Sequence, residues 1–539
     1  MKGLKERPEV KKLPNGGKCW EQKYDEFYLK AYVPATEIDG EVFNYAYRAP
    51  MLLIFEESHQ TMEEAVNFAQ TSGLAKIASA VDSSVLFVYP TCEGGWENAS
   101  VTMYQSLMTQ VRMDPIYADG IVEYHDFFAQ SFEGYFIRGA KFRTDIYSFG
   151  KSADYVASKL LDTIEGEYLW GPGEITPAMC SMERLSFVPE IKRKDIPVMS
   201  VANSPEINKC FESQCENVLI KEKADYTADF YSFVWKYKMW VGHVELEPDL
   251  KALGMIEEPG TFTVKTSDRN IGRYKETAEH PAGYFAYYKE GLLDNGPVPL
   301  VLGFHGGGDS SMYHTFGAGW WDIARRYGFL YVGVENHHDL PAPEAIQILE
   351  TLKKRYPIDE NRIYATGFSM GSAKTWDMYH EYPEVFAGLM PCSALFAVKD
   401  NPFGLSYDDP GFNKTVAVPM FYSGGEASPL PELSFHADSS LDRVKYLAMT
   451  NKLKANFKDI SFDNKDSWVD PIYGIPGDRV EKIPDETRGS ILTVNYFDSE
   501  DGVCRTALAS VSGQGHECRP HSCENAWKFI SRFSRNKKS

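Results

Sequence analysis

The stretch Arg362-Ile-Tyr-Ala-Thr-Gly367-Phe-Ser369-Met-Gly371-Ser-Ala-Lys-Thr-Trp-Asp-Met-Tyr-His-Glu-Tyr382 reads as a strand, a G-x-S-x-G turn and a helix that stops before Pro383. Glycines two residues before and two residues after Ser369 suit a turn so tight that side chains there would meet neighbouring backbone. Such a turn lifts the serine Oγ into the open at a helix N-terminus, where the dipole and the free N–H groups favour developing negative charge. Immediately upstream, Ala345, Ile348, Leu349, Leu352 and Tyr356 recur at the spacing of an amphipathic helix. Helix, strand, turn and helix in succession predict an α/β fold with a mostly parallel sheet flanked by helices.

Towards the N-terminus, Val298-Pro-Leu-Val-Leu-Gly-Phe304 reads as a buried strand that runs into His305-Gly306-Gly307-Gly308. Glycines let a loop turn its backbone N–H groups towards a substrate oxygen, so the N–H groups of Gly307 and Met370 are candidate oxyanion donors. The alternatives are a glycine-rich loop with no catalytic role and, disfavoured further because no G-x-x-x-x-G-K-[ST] occurs, a phosphate loop. Towards the C-terminus, Ala507-Leu-Ala-Ser-Val-Ser512 reads as a last strand, followed by Gly513-Gln-Gly515-His516 and a closing helix around Ala526-Trp-Lys-Phe529.

A serine nucleophile at neutral pH needs a base, and on this strand–turn–helix context the order is Ser, then acid, then His. His516 is the candidate base, ahead of its neighbour His521. For the acid, Glu426 ends the strand-like Val418-Pro-Met-Phe-Tyr-Ser-Gly-Gly-Glu426, while Asp498 and Asp501 sit in the turn Phe497-Asp-Ser-Glu-Asp-Gly502 and are the alternatives. Aromatic residues after the glycine loop (Trp320, Trp321) and in the long segment 429–487 (Trp468, Tyr473) are candidate pocket walls, as is Trp96 in the first half, and that segment is long enough to form a lid.

From about residue 262 to residue 533 the chain resembles the α/β-hydrolase serine esterases of the polyhydroxyalkanoate depolymerase and feruloyl or acetylxylan esterase group. The resemblance is carried by LVLGFHGGG, PIDENRIYATGFSMGS, VPMFYSGGE and SGQGHE. It implies an acyl-transfer hydrolase without a cofactor, acting on a small-molecule or polymeric ester, with Ser369 as nucleophile, Gly307 and Met370 as oxyanion donors and His516 as base. The group commonly uses an aspartate as its acid, so Glu426 is a departure. Two other readings compete: a serine peptidase of the prolyl oligopeptidase kind, against which stands the lack of propeller-like strand repeats, and a binding scaffold with a vestigial triad.

The first half looks like a second copy of the same fold. Asn44–Phe55 parallels the strands around Phe285 and Leu300–Phe304, and Asp145-Ile-Tyr-Ser-Phe-Gly150-Lys-Ser152-Ala-Asp154 aligns without a gap on Arg362–Gly371. Ile196-Pro-Val-Met-Ser echoes Val418-Pro-Met-Phe-Tyr, and Phe233-Val-Trp-Lys-Tyr echoes the closing helix. In that alignment the glycine loop is replaced by Glu56-Glu57-Ser58-His59, the second elbow glycine by Asp154, and the base by Ala224. The expectation is therefore a degenerate, non-catalytic hydrolase-like domain over 1–250 and a catalytic one over 260–539, joined through the charged, proline-bearing segment Trp240–Gly260.

Composition supplies exclusions. The 539 residues suffice for two large domains, and 43% hydrophobic against 24% charged residues, without a run of about 20 apolar ones, excludes disordered and membrane-spanning classes. A net charge of −20 repels phosphate backbones and anionic bilayers, so neither nucleic acid nor membrane is an expected partner, and it neither demands nor forbids a homo-oligomer. The basic N-terminus has no apolar run behind it, which reads as no secretory signal and a cytoplasmic location. Nine cysteines cannot all pair within one chain, and Cys518, His521 and Cys523 lack the second cluster of a zinc site, so no metal is expected.

Overall fold

The computed structural model describes residues 9–35, 50–81, 83–113, 143–161, 177–240, 243–246, 248–272, 274–307, 310–335, 337–399, 401, 404–428, 435, 437–458, 460 and 477–536. The chain divides into two units, Met1–Pro248 and Asp249–Ser539, each built on a sheet of its own.

In the first unit the strands are β1 (Lys11–Lys12), β2 (Lys18–Lys23), β3 (Phe27–Val33), β4 (Met51–Phe55), β5 (Ser84–Pro90), β6 (Thr144–Phe149), β7 (Met179–Glu183), β8 (Val198–Val201) and β9 (Val218–Lys221). They lie in the order β1-β2-β3-β5-β4-β6-β7-β8-β9, antiparallel up to β5 and parallel beyond it. A separate hairpin, β10 (Tyr237–Trp240) and β11 (His243–Leu246), follows. β4 is buried along its whole length, as a strand covered by helices on both faces must be. Phe55, Trp96, Tyr104 and Tyr155 fill one face of the sheet, and Leu52, Ile54, Leu74 and Ile77 fill the other. The helix Met62–Ser72 that covers the second face starts at a capping box between Thr61 and Glu64 and ends on Gly73 at φ 89°.

The second unit carries β12 (Met255–Lys265), β13 (Glu279–Lys289), β14 (Val298–Phe304), β15 (Leu330–Val334), β16 (Ile358–Phe368), β17 (Gly388–Cys392), β18 (Met420–Gly425), β19 (Arg479–Asp485), β20 (Ser490–Asp498) and β21 (Cys504–Val511). Their order is β12-β13-β15-β14-β16-β17-β18-β21-β20-β19. The block from β15 to β21 is parallel, with antiparallel strands at both edges. β14, β15 and β17 are buried throughout, and Trp376, Met378 and Tyr379 of the helix Met370–Glu381 join Leu441, Val444 and Leu447 of the helix Asp438–Thr450 in one core. Each such fully buried apolar side chain contributes roughly 1.5–3 kcal/mol. The helix Asp438–Thr450 is thus a core element, so this part of the expected lid segment is anchored in the fold. No helix among the described residues is long and apolar enough to cross a membrane.

Both units are α/β-hydrolase-like: β2-β3-β5-β4-β6-β7-β8-β9 follows the same path as β12-β13-β15-β14-β16-β17-β18-β21. A helix precedes the last parallel strand in both, Pro205–Gln214 before β9 and Asp438–Thr450 before β21, and the second unit differs by the β19–β20 hairpin inserted between that helix and β21. The register corrects the sequence alignment of the repeat by two residues. Phe55 pairs with Ser148 where Phe304 pairs with Gly367, so Gly150, not Ser152, occupies the place of Ser369. Gly150 has φ 52° and ψ −116°, and Ser369 has φ 54° and ψ −114°. The Gly150 N–H donates to the Glu183 carbonyl as the Ser369 N–H donates to that of Cys392. The gapless alignment misleads because Ser152 repeats the serine while the dihedrals that make the turn belong to Gly150. Ser152 is instead a fully buried serine whose Oγ donates to the Phe55 carbonyl at 2.7 Å.

Candidate active site

β16 ends at Phe368 and the helix Met370–Glu381 begins two residues later, so Ser369 alone makes the turn, in the positive-φ region that L-residues avoid. The two glycines are demanded by close approach. A Cβ on Gly367 would lie 2.1 Å from the Gly371 carbonyl oxygen, and one on Gly371 would lie 2.0 Å from that of Phe304. Gly367 thus lets the strand end lie against the first turn of its own helix, and Gly371 lets that helix abut the end of β14.

The structure brings His516 to Ser369. The loop that follows β21 places His516 Nε2 2.9 Å from Ser369 Oγ, and its ring packs on Phe368 with centroids 4.7 Å apart. Both residues are half-buried, open to a reactant. The loop is held where it is by Gly425, whose Cβ would lie 2.2 Å from the Gln514 carbonyl oxygen and 2.3 Å from that of Gly515. It is also held by the Ala427 N–H donating to the Gln514 carbonyl, and by Ser393 Oγ and Gln514 Nε2 both donating to the Glu517 carbonyl.

Of the three candidate acids, Glu426 follows β18 at the same end of the sheet as His516, because β18 and β21 are parallel neighbours. Its carboxylate accepts from Ser510 Oγ at 2.8 Å. Asp498 and Asp501 are corrected. They lie at the β20–β21 turn, at the opposite end of β21 from His516, a strand length of roughly 23 Å at about 3.3 Å per residue. There Asp501 pairs with Arg505 at 2.6 Å and Asp498 lies 3.4 Å from Lys454, so both are turn-and-surface carboxylates.

Gly307 and Met370 come together: a Cβ on Gly307 would meet Met370 Sδ at 2.6 Å. Gly308 lies outside the described residues, as do Trp468 and Tyr473. His305 is buried and its Nδ1 contacts the Gly306 carbonyl at 2.8 Å. Trp320 is corrected from pocket wall to core: it is fully buried and stacks on Tyr331 at 5.8 Å, because its helix turns that face to the sheet. Trp321 is half-buried beside Phe316, and Trp96 is a core residue of the first unit whose Nε1 donates to the Glu56 carbonyl.

Sequence reading missed the groups behind the glycine loop. His337 and His338, just after β15, reach the carbonyls of His305 and Gly306 through Nε2, at 2.7 and 3.3 Å. With His305 they bring one ring nitrogen each within 4.8 Å of one another. Burial holds His337 well below the ordinary imidazole range, and the nearby Lys374 ammonium acts in the same direction. Two other buried groups lie near the loop. Burial moves His314 down to about 3, and it pushes Glu335, whose partner is Ser311 Oγ, up to about 8. The paired histidine in Glu335-Asn-His337-His338 was the available signal, but a histidine pair after a strand has no fixed meaning without knowing what it faces.

In the first unit the same positions carry different groups. Gly150 offers no side chain at the turn, and a Cβ there would lie 2.2 Å from Glu57 Oε1, so a carboxylate occupies the place of the nucleophile. Glu57 is tied to Arg184 at 2.7 Å, and Glu56, at the position of His305, is buried in an ion pair with Lys30 at 2.8 Å. No histidine occurs between Lys221 and Tyr237, after the last parallel strand.

No protein-family model matches the chain. Over 275 residues it is 27% identical to a bifunctional acetylxylan esterase/xylanase of Neocallimastix patriciarum, a match covering 49% of this chain and 35% of that protein. The chain thus spans about a third of the length of that relative. Among solved structures, an acetyl xylan esterase from Aspergillus awamori is 13% identical with a TM-score of 0.33, covering 50% of this chain and 99% of the other. A feruloyl esterase module from Clostridium thermocellum, complexed with sinapinate, is 11% identical with a TM-score of 0.32, covering 54% of this chain and 94% of the other.

Proposed function

We propose that this α/β-hydrolase-fold chain, similar in sequence to an acetylxylan esterase, is a serine carboxylic-ester hydrolase whose chemistry resides in the unit Asp249–Ser539. The observation that carries the reading is the 2.9 Å contact between His516 Nε2 and Ser369 Oγ at a strained strand-to-helix turn. Ser369 Oγ attacks the ester carbonyl carbon as His516 Nε2 takes its proton. The tetrahedral oxyanion is met by the Gly307 and Met370 N–H groups, Met370 being the first residue of its helix and so among those whose N–H has no intrahelical acceptor. The imidazolium then protonates the leaving alkoxide, and the same nitrogen deprotonates the water that cleaves the acyl-enzyme. Glu426 is the acid candidate, since it alone of the three carboxylates reaches the histidine's end of the sheet.

The substrates proposed are acetyl, feruloyl or hydroxyalkanoate esters, and the unit Met1–Pro248 is proposed to be non-catalytic. A fluorophosphonate probe is expected to label Ser369 in the full chain, and Ser369→Ala to lose all labelling and drop kcat by at least about 1,000-fold. A panel of acetyl, feruloyl, hydroxybutyrate and dipeptide substrates then ranks the acyl groups. Absence of any adduct at Ser369 supports the scaffold reading, and turnover confined to the dipeptides supports the peptidase.

A further inference from the structure

A loop of consecutive glycines has no side chain with which to fix its own peptide planes, yet an oxyanion hole works only if its N–H groups are aimed before the substrate arrives. At His305-Gly306-Gly307 the carbonyls are held from behind. His337 Nε2 lies 2.7 Å from the His305 oxygen, His338 Nε2 lies 3.3 Å from the Gly306 oxygen, and His305 Nδ1 lies 2.8 Å from that same oxygen. A carbonyl only accepts, so each of these ring nitrogens carries a proton. In a trans peptide the carbonyl and the N–H point oppositely, so holding the Gly306 oxygen towards the histidines turns the Gly307 N–H away from them. A carbonyl that accepts hydrogen bonds also polarises its peptide, which strengthens the N–H as a donor.

We propose that His337 and His338 are positioning residues of the oxyanion hole, clamping the His305–Gly306 and Gly306–Gly307 peptides so that the Gly307 N–H is aimed in advance. This rests on the hydrolase reading above. Their place in the fold suits the role: both follow directly on β15, the parallel neighbour of β14 from which the glycine loop springs, so the clamp and the loop are carried by adjacent buried strands. His337 is fully buried, which fixes its ring. The three imidazoles bring a ring nitrogen each within 4.8 Å of one another, but each also spends a protonated nitrogen on a carbonyl of the glycine loop, which is the contact the clamp uses.

The test compares His338→Ala with His338→Gln, whose amide N–H can reach the same carbonyl, and adds His337→Gln. The assay uses a nitrophenyl acetate series, with Tm recorded for each full-length variant. Because His338 is half-buried, the alanine variant is expected to keep its Tm within a few degrees. Its kcat should fall about 10- to 100-fold, less than deleting a direct oxyanion donor costs, with KM within about twofold of wild type. His338→Gln should recover most of kcat, and His337→Gln should retain most of it. A merely structural role would move Tm and would not be restored by glutamine. The proposal is overturned if His338→Ala keeps kcat within about twofold of an active wild type, or if glutamine fails to restore what alanine loses. A wild-type chain that neither turns over ester nor labels at Ser369 overturns the hydrolase reading, and this one with it.

Discussion

Ser369 sits at φ 54°, a conformation that costs about 1–3 kcal/mol for a residue with a Cβ. The first unit makes the same turn with Gly150, without a nucleophile and without the steric cost. Ser369→Gly should therefore abolish ester hydrolysis while raising the Tm of the unit by roughly 2 °C or more, the net of relieved strain over the greater chain entropy of glycine. A Tm that falls instead would mean the turn is not strained. At this scale the sequence was informative where chemistry and geometry coincide: Ser369, Gly367 and Gly371 were legible because glycines at the two close approaches leave a serine free to make the turn. It misled where chemistry and geometry part, at Ser152, because a serine in the right neighbourhood looks like a nucleophile until the dihedrals are known.

Elements decide what residues meet. His516 reaches Ser369 because β21 is the parallel neighbour of β18, and the loop after it crosses the end of β18 at Gly425. A methyl group at Gly425 would press on two backbone carbonyls of that loop. Gly425→Ala should displace His516 by a few tenths of an ångström to an ångström and lower kcat by up to about 100-fold, with fluorophosphonate labelling slowed in proportion. Unchanged turnover would show that the loop yields freely. The same strand geometry removed Asp498 and Asp501 as acids: nearness in sequence to His516 is undone by a hairpin that carries them to the far end of β21. Trp320 failed as a pocket residue for a similar reason, since the direction in which a helix turns its face is set by the sheet it covers.

Across the whole molecule, buried titratable groups couple stability to pH. His314, with a value of about 3 in the fold against an ordinary 6.5, binds its proton more readily when unfolded, so the stability it permits is lost as pH falls below about 6.5. Glu335 has the opposite sign. Raised from 4.5 to about 8, it holds its proton more tightly in the fold, so its carboxylate costs progressively more stability as pH rises through that window and no more above it. Wild-type Tm should pass through a maximum between these limbs. Glu335→Gln should match wild type at about pH 5 and exceed it at about pH 8.5, as measured by thermal unfolding, and equal alkaline losses in both proteins would contradict the assignment.

What the amino-acid order determined by itself was local: a strand–serine–helix turn, a glycine loop after a buried strand, a late histidine, and a first half built to the same plan. These are legible because periodicity and turn chemistry depend on neighbours a few residues apart. What only the tertiary structure decided was long-range: the two-residue offset that puts Gly150 in the nucleophile's place, the strand end at which a carboxylate emerges, and the histidines behind the glycine loop. Those depend on which strands lie side by side and in what register, and a register shift of one or two residues changes every side chain that meets its partner.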